Sequence, residues 1–299
     1  MDSGSRFRLA GMTTKDPIAT LLKQFHARKP ARIWSLIVTL YGDAIVPRGG
    51  SLWIGSLIEI MALFGIDAGH VRTAVSRLSS DGWLASTKRG RSSYYRLTKG
   101  GEAEFLQATQ RIYSGVPIQP GEMQVVVIAP YARDPAALRS ALSAAGYAAI
   151  SPVIHVGLDA PPDPVEREGI FVMTPRPDDR RALAASAFRL NDVSQGYRDF
   201  IAQFSPLADA LANKPFAEEH ALIARTLLIH DFRRVVLRDP GLPHDLLPDD
   251  WSGQAARALA AKIYAALVAP SERFLDDRAR AEDGLLPPPG DGFHSRFSS

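Results

Sequence analysis

The sequence predicts an α+β protein, and three observations predict it. Apolar residues recur at helical spacing through much of the chain, with capping residues before several runs and glycine after them. Short β-branched runs bounded by turn residues form one hairpin near residue 90 and a further set between residues 123 and 173. From Tyr197 onward the pattern is helical alone.

Small, polar and basic residues at the start predict a flexible arm over residues 1–27. From Pro30 the pattern turns helical, with Ile33, Leu36, Ile37 and Leu40 at i, i+3, i+4, i+7. Gly42 and Asp43 are expected to stop that helix, and Ala44 to Gly50 to run extended through Pro47. Ser51 is placed to cap a second helix from Leu52 to Phe64, and Asp67 a third that ends near Asp81 before Gly82. Trp83–Lys88 and Ser92–Leu97 read as two strands joined by Arg89-Gly90-Arg91, followed by a helix from Lys99 to Tyr113. Three helices, a hairpin with a basic tip and a further helix make residues 28–115 a winged helix-turn-helix.

A second domain is expected over residues 120–196. Met123–Ile128 reads as a strand, Asp134–Ala145 as a helix, Tyr147–Val156 and Ile170–Met173 as strands, and Asp178–Leu190 as a helix. That order suggests a small ferredoxin-like domain suited to dimerisation, interrupted by a proline-rich loop at Pro161, Pro162 and Pro164. Residues 197–280 form the expected all-helical C-terminal domain. Its helix Ala217–Val236 is apolar nearly all round and so belongs in a core, and its last helix runs from Gly253 to Asp276. The Pro287-Pro288-Pro289-Gly290 run predicts a disordered tail over residues 283–299.

Composition narrows the function classes. The chain has no cysteine, which excludes disulfides, thiolate zinc sites and thiol nucleophiles. No stretch approaches about 18 uninterrupted apolar residues and the first 16 lack an apolar segment, so a cytoplasmic protein with no membrane partner is expected. Residues 1–115 hold 16 Lys and Arg against 8 Asp and Glu, whereas residues 116–299 hold 19 against 24. A basic front on an acidic body is the charge pattern of a nucleic-acid-binding module attached to a regulatory body.

The helix from Asp67 to Asp81 carries the functional argument. Val71, Ala74, Val75 and Leu78 line one stripe, while Arg72, Thr73, Ser76, Arg77 and Ser80 stand opposite with His70 beside them. No carboxylate lies between Asp67 and Asp81, as a helix in the major groove requires if it is not to repel phosphates. Arginine can bond guanine bidentately, and serine and threonine can reach phosphates or base edges. Lys88, Arg89 and Arg91 at the hairpin tip are assigned to phosphate positioning, with Arg48 as a further phosphate contact. The DNA-binding candidates are therefore Arg48, His70, Arg72, Thr73, Ser76, Arg77, Lys88, Arg89 and Arg91.

These residues bring a family into view. Ser35-Leu36-Ile37-Val38-Thr39-Leu40-Tyr41-Gly42-Asp43, Val46-Pro47-Arg48-Gly49-Gly50 and Trp53-Ile54-Gly55-Ser56-Leu57 resemble the opening of the PaaX-type regulators of phenylacetic acid catabolism. So do Val71-Arg72-Thr73-Ala74-Val75-Ser76-Arg77-Leu78 and Gly90-Arg91-Ser92-Ser93-Tyr94-Tyr95-Arg96-Leu97-Thr98. Later, Arg225-Thr226-Leu227-Leu228-Ile229-His230-Asp231-Phe232-Arg233-Arg234, Leu237-Arg238-Asp239-Pro240, Leu246-Leu247-Pro248 and Trp251 resemble the family's C-terminal signature. One departure is Phe188-Arg189-Leu190, where the family's tryptophan-containing motif is expected.

The resemblance implies a homodimeric repressor on double-stranded operator DNA, with no cofactor, released by an aryl-CoA effector such as phenylacetyl-CoA. Phosphates of such an effector call for cations beside an apolar pocket. Arg225, His230, Arg233, Arg234 and Arg238 cluster suitably in sequence; alternatively, Arg233 and Arg238 pair with Asp231 and Asp239 and hold the domain together. Two rival classes stand beside the repressor. His230-Asp231 and His244-Asp245, with His220 nearby, are weak hints of a metal-dependent hydrolase or nuclease, which needs several such ligands converging on one ion. A sequence-blind nucleic-acid-binding module is the other.

Overall fold

A computed structural model describes residues 16–28, 33–118, 121–161 and 169–298. They divide into two compact units. The described residues of Met1–Gly115, Asp199–Val236 and Ala255–Ser299 form the first, and those of Val116–Arg198 and Leu237–Gln254 the second.

The first unit opens with α1 (Pro17–Ala27), capped by Asp16, whose carboxylate accepts from Ile18 N at 2.9 Å. Ile18, Leu21 and Phe25 are buried, so the expected flexible arm is corrected over these residues; residues 1–15 lie outside the described ones. Next comes α2 (Ile33–Leu40), continued by a π turn over Tyr41–Ile45 and a 3-10 turn over Val46–Arg48. The stop at Gly42 and the extended run do not occur. Gly42 instead lets Phe105 lie against the backbone, where a Cβ would fall 1.7 Å from the ring, and Asp43 turns inward to four donors, Tyr113, Tyr264, Arg225 and Arg296.

The chain proceeds through β1 (Leu52–Trp53), α3 (Ile54–Leu63), α4 (Ala68–Ser80), β2 (Leu84–Arg89), β3 (Ser92–Leu97) and α5 (Lys99–Thr109). The antiparallel sheet has the order β1-β3-β2, with Leu52 opposite Tyr95 and Trp53 opposite Tyr94. That pairing takes the two residues expected to begin a helix, so α3 starts at Ile54 and Ser51 caps nothing. Gly90 and Arg91 form the two-residue loop between Arg89 and Ser92, and Gly90 takes φ +60°, as turns of this length favour. Leu36, Ile37, Leu57, Met61, Val71 and Leu78 are buried to within 1 %, each contributing about 1.5–3 kcal/mol of apolar burial.

The second unit contains β4 (Met123–Ile128), α6 (Pro135–Ala144), β5 (Ala148–Ala149), β6 (Ile154–Leu158), β7 (Ile170–Met173), α7 (Pro177–Ala187) and the start of α8 (Leu190–Asn213). Its antiparallel sheet has the order β5-β6-β4-β7. Val126, Ile128, Leu142 and Tyr147 make one core cluster, and Met123, Val156, Leu158, Ala184 and Leu190 join Leu246 in another. The expected single strand Tyr147–Val156 is two strands, because the Ser151 hydroxyl accepts from Ile154 N at 3.1 Å and closes a turn. Arg189 takes φ +49° and separates α7 from α8. Of the proline-rich loop, residues 162–168 lie outside the described ones.

The remainder of α8 returns to the first unit, which also contains α9 (Glu218–Val236), most of α10 (Gly253–Arg278), β8 (Arg280–Ala281) and β9 (Gly284–Leu285). A separate helical domain over 197–280 is thus corrected. Twelve consecutive residues of α9, Ala221 to Phe232, are buried, and α1 and α2 supply part of the covering. The disordered tail is corrected as well. Leu286 is buried, Asp291–Phe293 form a 3-10 turn with Phe293 buried, and Phe297 meets Tyr113 edge to face at 5.3 Å. Two aromatic rings in the last seven residues give the tail enough apolar surface to dock.

Candidate nucleic-acid interface

The Asp67 carboxylate caps α4, accepting from Gly69 N at 2.9 Å and His70 N at 3.0 Å. Val71, Ala74, Val75 and Leu78 turn inward, which leaves His70, Arg72, Thr73, Ser76 and Arg77 exposed on the opposite face. This is the arrangement the spacing predicts. The structure adds restraints. The Thr73 hydroxyl donates to Gly69 O at 3.0 Å, the His70 ring meets the Asp67 carboxylate, and Arg77 lies 3.6 Å from Asp81. Hydrogen bonds from the His70 backbone N–H, and then from its ring, hold Asp67 below the usual carboxylate range. The two aspartates that bound the carboxylate-free run thus pair with His70 and Arg77 at its two ends. Such exposed pairs contribute little stability, so both partners can be exchanged for phosphate or base.

Lys88, Arg89 and Arg91 are exposed at the hairpin tip. Arg89 is occupied: its Nη1 donates to Asp283 at 2.7 Å, and its Nη2 lies 3.3 Å from Glu282. Arg96, which sequence reasoning missed, extends outward from β3 and lies 3.4 Å from the same Glu282 carboxylate. Its signal was the alternation along β3, where Leu97 turns inward and its neighbour outward.

Arg48 does not join this surface. Only 1 % of it is exposed; its Nε donates to Glu272 at 2.8 Å, and its Nη1 to Asp276 at 2.8 Å and to Pro287 O at 2.9 Å. The expected phosphate contact is corrected to an internal ion pair, because α10 brings two carboxylates to the 3-10 turn that carries Arg48.

The five effector candidates do not form one site: His230, Arg233 and Arg234 lie near one another, whereas Arg225 is bound into a separate buried network and Arg238 falls in the second unit. Arg225 is wholly buried; its Nε donates to Asp43 Oδ2 at 2.7 Å and its Nη1 to Ser271 at 3.0 Å, and it also pairs with Glu272. Tyr113 and Tyr264 donate to Asp43 at 2.6 and 2.9 Å, and Arg296 reaches it at 3.1 Å. Burial pushes the Asp43 carboxyl up, but Arg225, Arg296 and the two phenols together hold it below the usual range. Three guanidiniums, of Arg48, Arg225 and Arg296, therefore face Asp43, Glu272 and Asp276 in a network whose charges and hydrogen bonds are mutually satisfied.

His230 is buried, and its Nδ1 lies 3.1 Å from the Thr39 hydroxyl. That hydroxyl gives its hydrogen to Ser35 O, so the imidazole Nδ1–H is the donor. Burial, against the opposing pull of Asp231, depresses the His230 pKa to about 4; the ring is neutral at pH 7 and cannot serve as a cation. Arg233 donates to the Ser35 hydroxyl at 2.6 Å, and burial lowers its pKa to about 10. Asp231 is held by Arg28 and by Gln203 Nε2 at 2.6 Å, with Arg234 at 3.9 Å. Arg234 and Arg238 alone among the five are exposed, and they fall in different units. Among the described residues, no three or more His, Asp or Glu side chains come together as metal ligands, and no helix is long and apolar enough to cross a membrane.

Comparison with known proteins adds to this geometry. The family model described as PaaX-like protein matches residues 32–101, and that of the PaaX-like protein C-terminal domain matches residues 188–277. The transcriptional repressor PaaX of Escherichia coli (strain K12) is 32 % identical over 281 residues, covering 88 % of this chain and 89 % of that protein. Among solved structures, the uncharacterized protein Rv0674 from Mycobacterium tuberculosis aligns with a TM-score of 0.45 at 19 % identity, over 73 % of this chain and 89 % of that one.

Proposed function

The chain belongs to the PaaX-like protein family, and from that premise we propose that it is a DNA-binding transcriptional repressor of phenylacetate-type aromatic catabolic genes and not an enzyme. The observation that carries the reading is α4, whose buried apolar stripe leaves a face of Arg, Thr, Ser and His side chains beside an exposed basic hairpin tip. Residues 33–97 run helix, strand, helix, helix, hairpin, with β1 paired beside β3, which supports a winged helix-turn-helix. In it α4 enters the major groove and Lys88, Arg89 and Arg91 follow the backbone. The order β5-β6-β4-β7, with α6 crossing between β4 and β5, supports a ferredoxin-like domain, although α7 follows the fourth strand.

The protein acts as a homodimer on operator DNA, with its two α4 helices separated by about 34–36 Å or a multiple of it. An aryl-CoA thioester, phenylacetyl-CoA first among them, releases it. Arg225, His230 and Arg233 serve internal bonds, so of the five candidates the exposed Arg234 and Arg238 are the ones assigned to the effector's phosphates.

The test is fluorescence anisotropy with the protein's own promoter duplex, across a salt series, with and without phenylacetyl-CoA. Tight binding abolished by the thioester is the expected result. Binding that ignores it keeps the repressor and removes the effector. Affinity no better than for random duplex removes the repressor reading.

A further inference from the structure

The hairpin tip is held by an acidic turn from the far end of the chain. β8 and β9 pair through two residue pairs only, Arg280 with Leu285 and Ala281 with Gly284, and Glu282 and Asp283 form their turn. Onto the Glu282 carboxylate converge the Ser51 hydroxyl at 3.0 Å, Arg96 Nη2 at 3.4 Å and Arg89 Nη2 at 3.3 Å. Arg89 Nη1 adds Asp283 Oδ1 at 2.7 Å and Glu282 O at 3.3 Å.

Two guanidiniums and a hydroxyl around one anionic oxygen pair make a site for a tetrahedral oxyanion as well as for a carboxylate. Arg89 ends β2, Arg96 lies on β3 and Ser51 immediately precedes β1, so the donors come from two strands of one sheet and the residue before the third. Arg89 and Arg96 are about half exposed, which leaves them open to DNA. We infer that Ser51, Arg89 and Arg96 form a subsite for one DNA backbone phosphate, and that Glu282 and Asp283 occupy it in the free protein as an internal competitor. This inference rests on the repressor reading.

The physical case is one of exchange. The Arg89–Asp283 pair is exposed on both sides, so it contributes little and is screened by salt. Glu282 is 12 % exposed and Ser51 is buried, so a duplex phosphate reaches their position only by displacing the acidic turn, whose two strands are joined by two residue pairs. The exchange nevertheless weakens binding, because Arg89 arrives already neutralised and two carboxylates are released beside a polyanion. Ser51, which the sequence places as a helix cap, here has a use that its own strand context explains. The opposing account is that the acidic turn only braces the hairpin, in which case its charges help binding or do nothing.

Anisotropy on the full chain with promoter duplex separates the two. E282Q/D283N should bind about five- to tenfold more tightly at low salt, with the slope of log affinity against log salt steeper by about one. D283N alone, at a side chain that pairs with Arg89, should show a smaller gain and guards against a hairpin disturbed at Glu282. In an R89A/R96A background the same acidic substitutions should give a clearly smaller gain, because only the repulsion of DNA is then removed. Unchanged or weaker binding by both acidic variants, with circular dichroism melting as in wild type, overturns the subsite while the wild type still binds its promoter. A wild type that does not prefer its promoter overturns the repressor reading and this inference with it.

Discussion

Arg72 and Arg225 are the same side chain in the same compact unit, yet one stands in water and the other is wholly buried. On the outer face of α4, Arg77 lies beside the exposed Asp81, where exchanging one anion for another costs little. The interior network around Asp43 binds its guanidiniums with carboxylates, phenols and a serine, leaving nothing to offer a ligand. Arginine count or clustering therefore does not identify a phosphate site. What identifies it is whether the charge is locked in a buried network or held by a partner that an incoming anion can replace.

The sharpest way to break this comparison is Arg225→Ala. It leaves Asp43 and Glu272 short of their buried counter-charge, and the expected loss is about 3–5 kcal/mol, read from urea unfolding. A variant as stable as the wild type would mean the network is not structural, and Arg225 would return to the effector candidates.

His230 sharpens the same contrast through pH. Its folded pKa of about 4 lies below the ordinary 6.5, so the unfolded chain takes up the proton first. The associated stability is complete above about pH 6.5 and is lost as pH falls through 4, a change of about 3 kcal/mol at most. Subtracting the unfolding profile of His230→Asn from that of the wild type should isolate this slope, and parallel profiles would place the imidazole in contact with solvent.

On the exposed side, Arg77→Ala should cost about 1–3 kcal/mol in operator binding and relax preference at one or two base positions in each half-site, seen with a panel of single-base operator variants. Uniform loss across the panel would remove α4 from the major groove. The smallest effect belongs to Arg91→Ala, which should weaken all duplexes alike and reduce the salt slope by about one. Any base preference lost with Arg91 would mean the hairpin reads sequence.

Much of the candidate interface was legible because its signals are local. Asp67 caps the amides two and three residues ahead, and the stripe Val71, Ala74, Val75, Leu78 repeats at the pitch of the helix it makes. The hairpin followed from Gly90 between two β-rich runs, and α9 from its apolar girth. The misreadings have one form. Ser51, Gly42 and the proline-rich tail each carry a local signal for a cap, a stop or disorder, and each is overridden by a partner remote in sequence. Strand β3 recruits Leu52 and Trp53, Phe105 fills the space above Gly42, and Tyr113 receives Phe297.

By itself the sequence determined most of the helices and the hairpin turn, which face of α4 is polar, and a resemblance specific enough to indicate a family. Only the tertiary structure decided which arginines are free to meet an anion. Arg225 finds Asp43 across 182 positions and Arg48 finds Glu272 across 224, and both pairs form because α9 and α10 pack with the N-terminal helices. Periodicity and capping act over one or two turns of chain and set the direction of a side chain. Its partner is set by packing, and no local spacing encodes that.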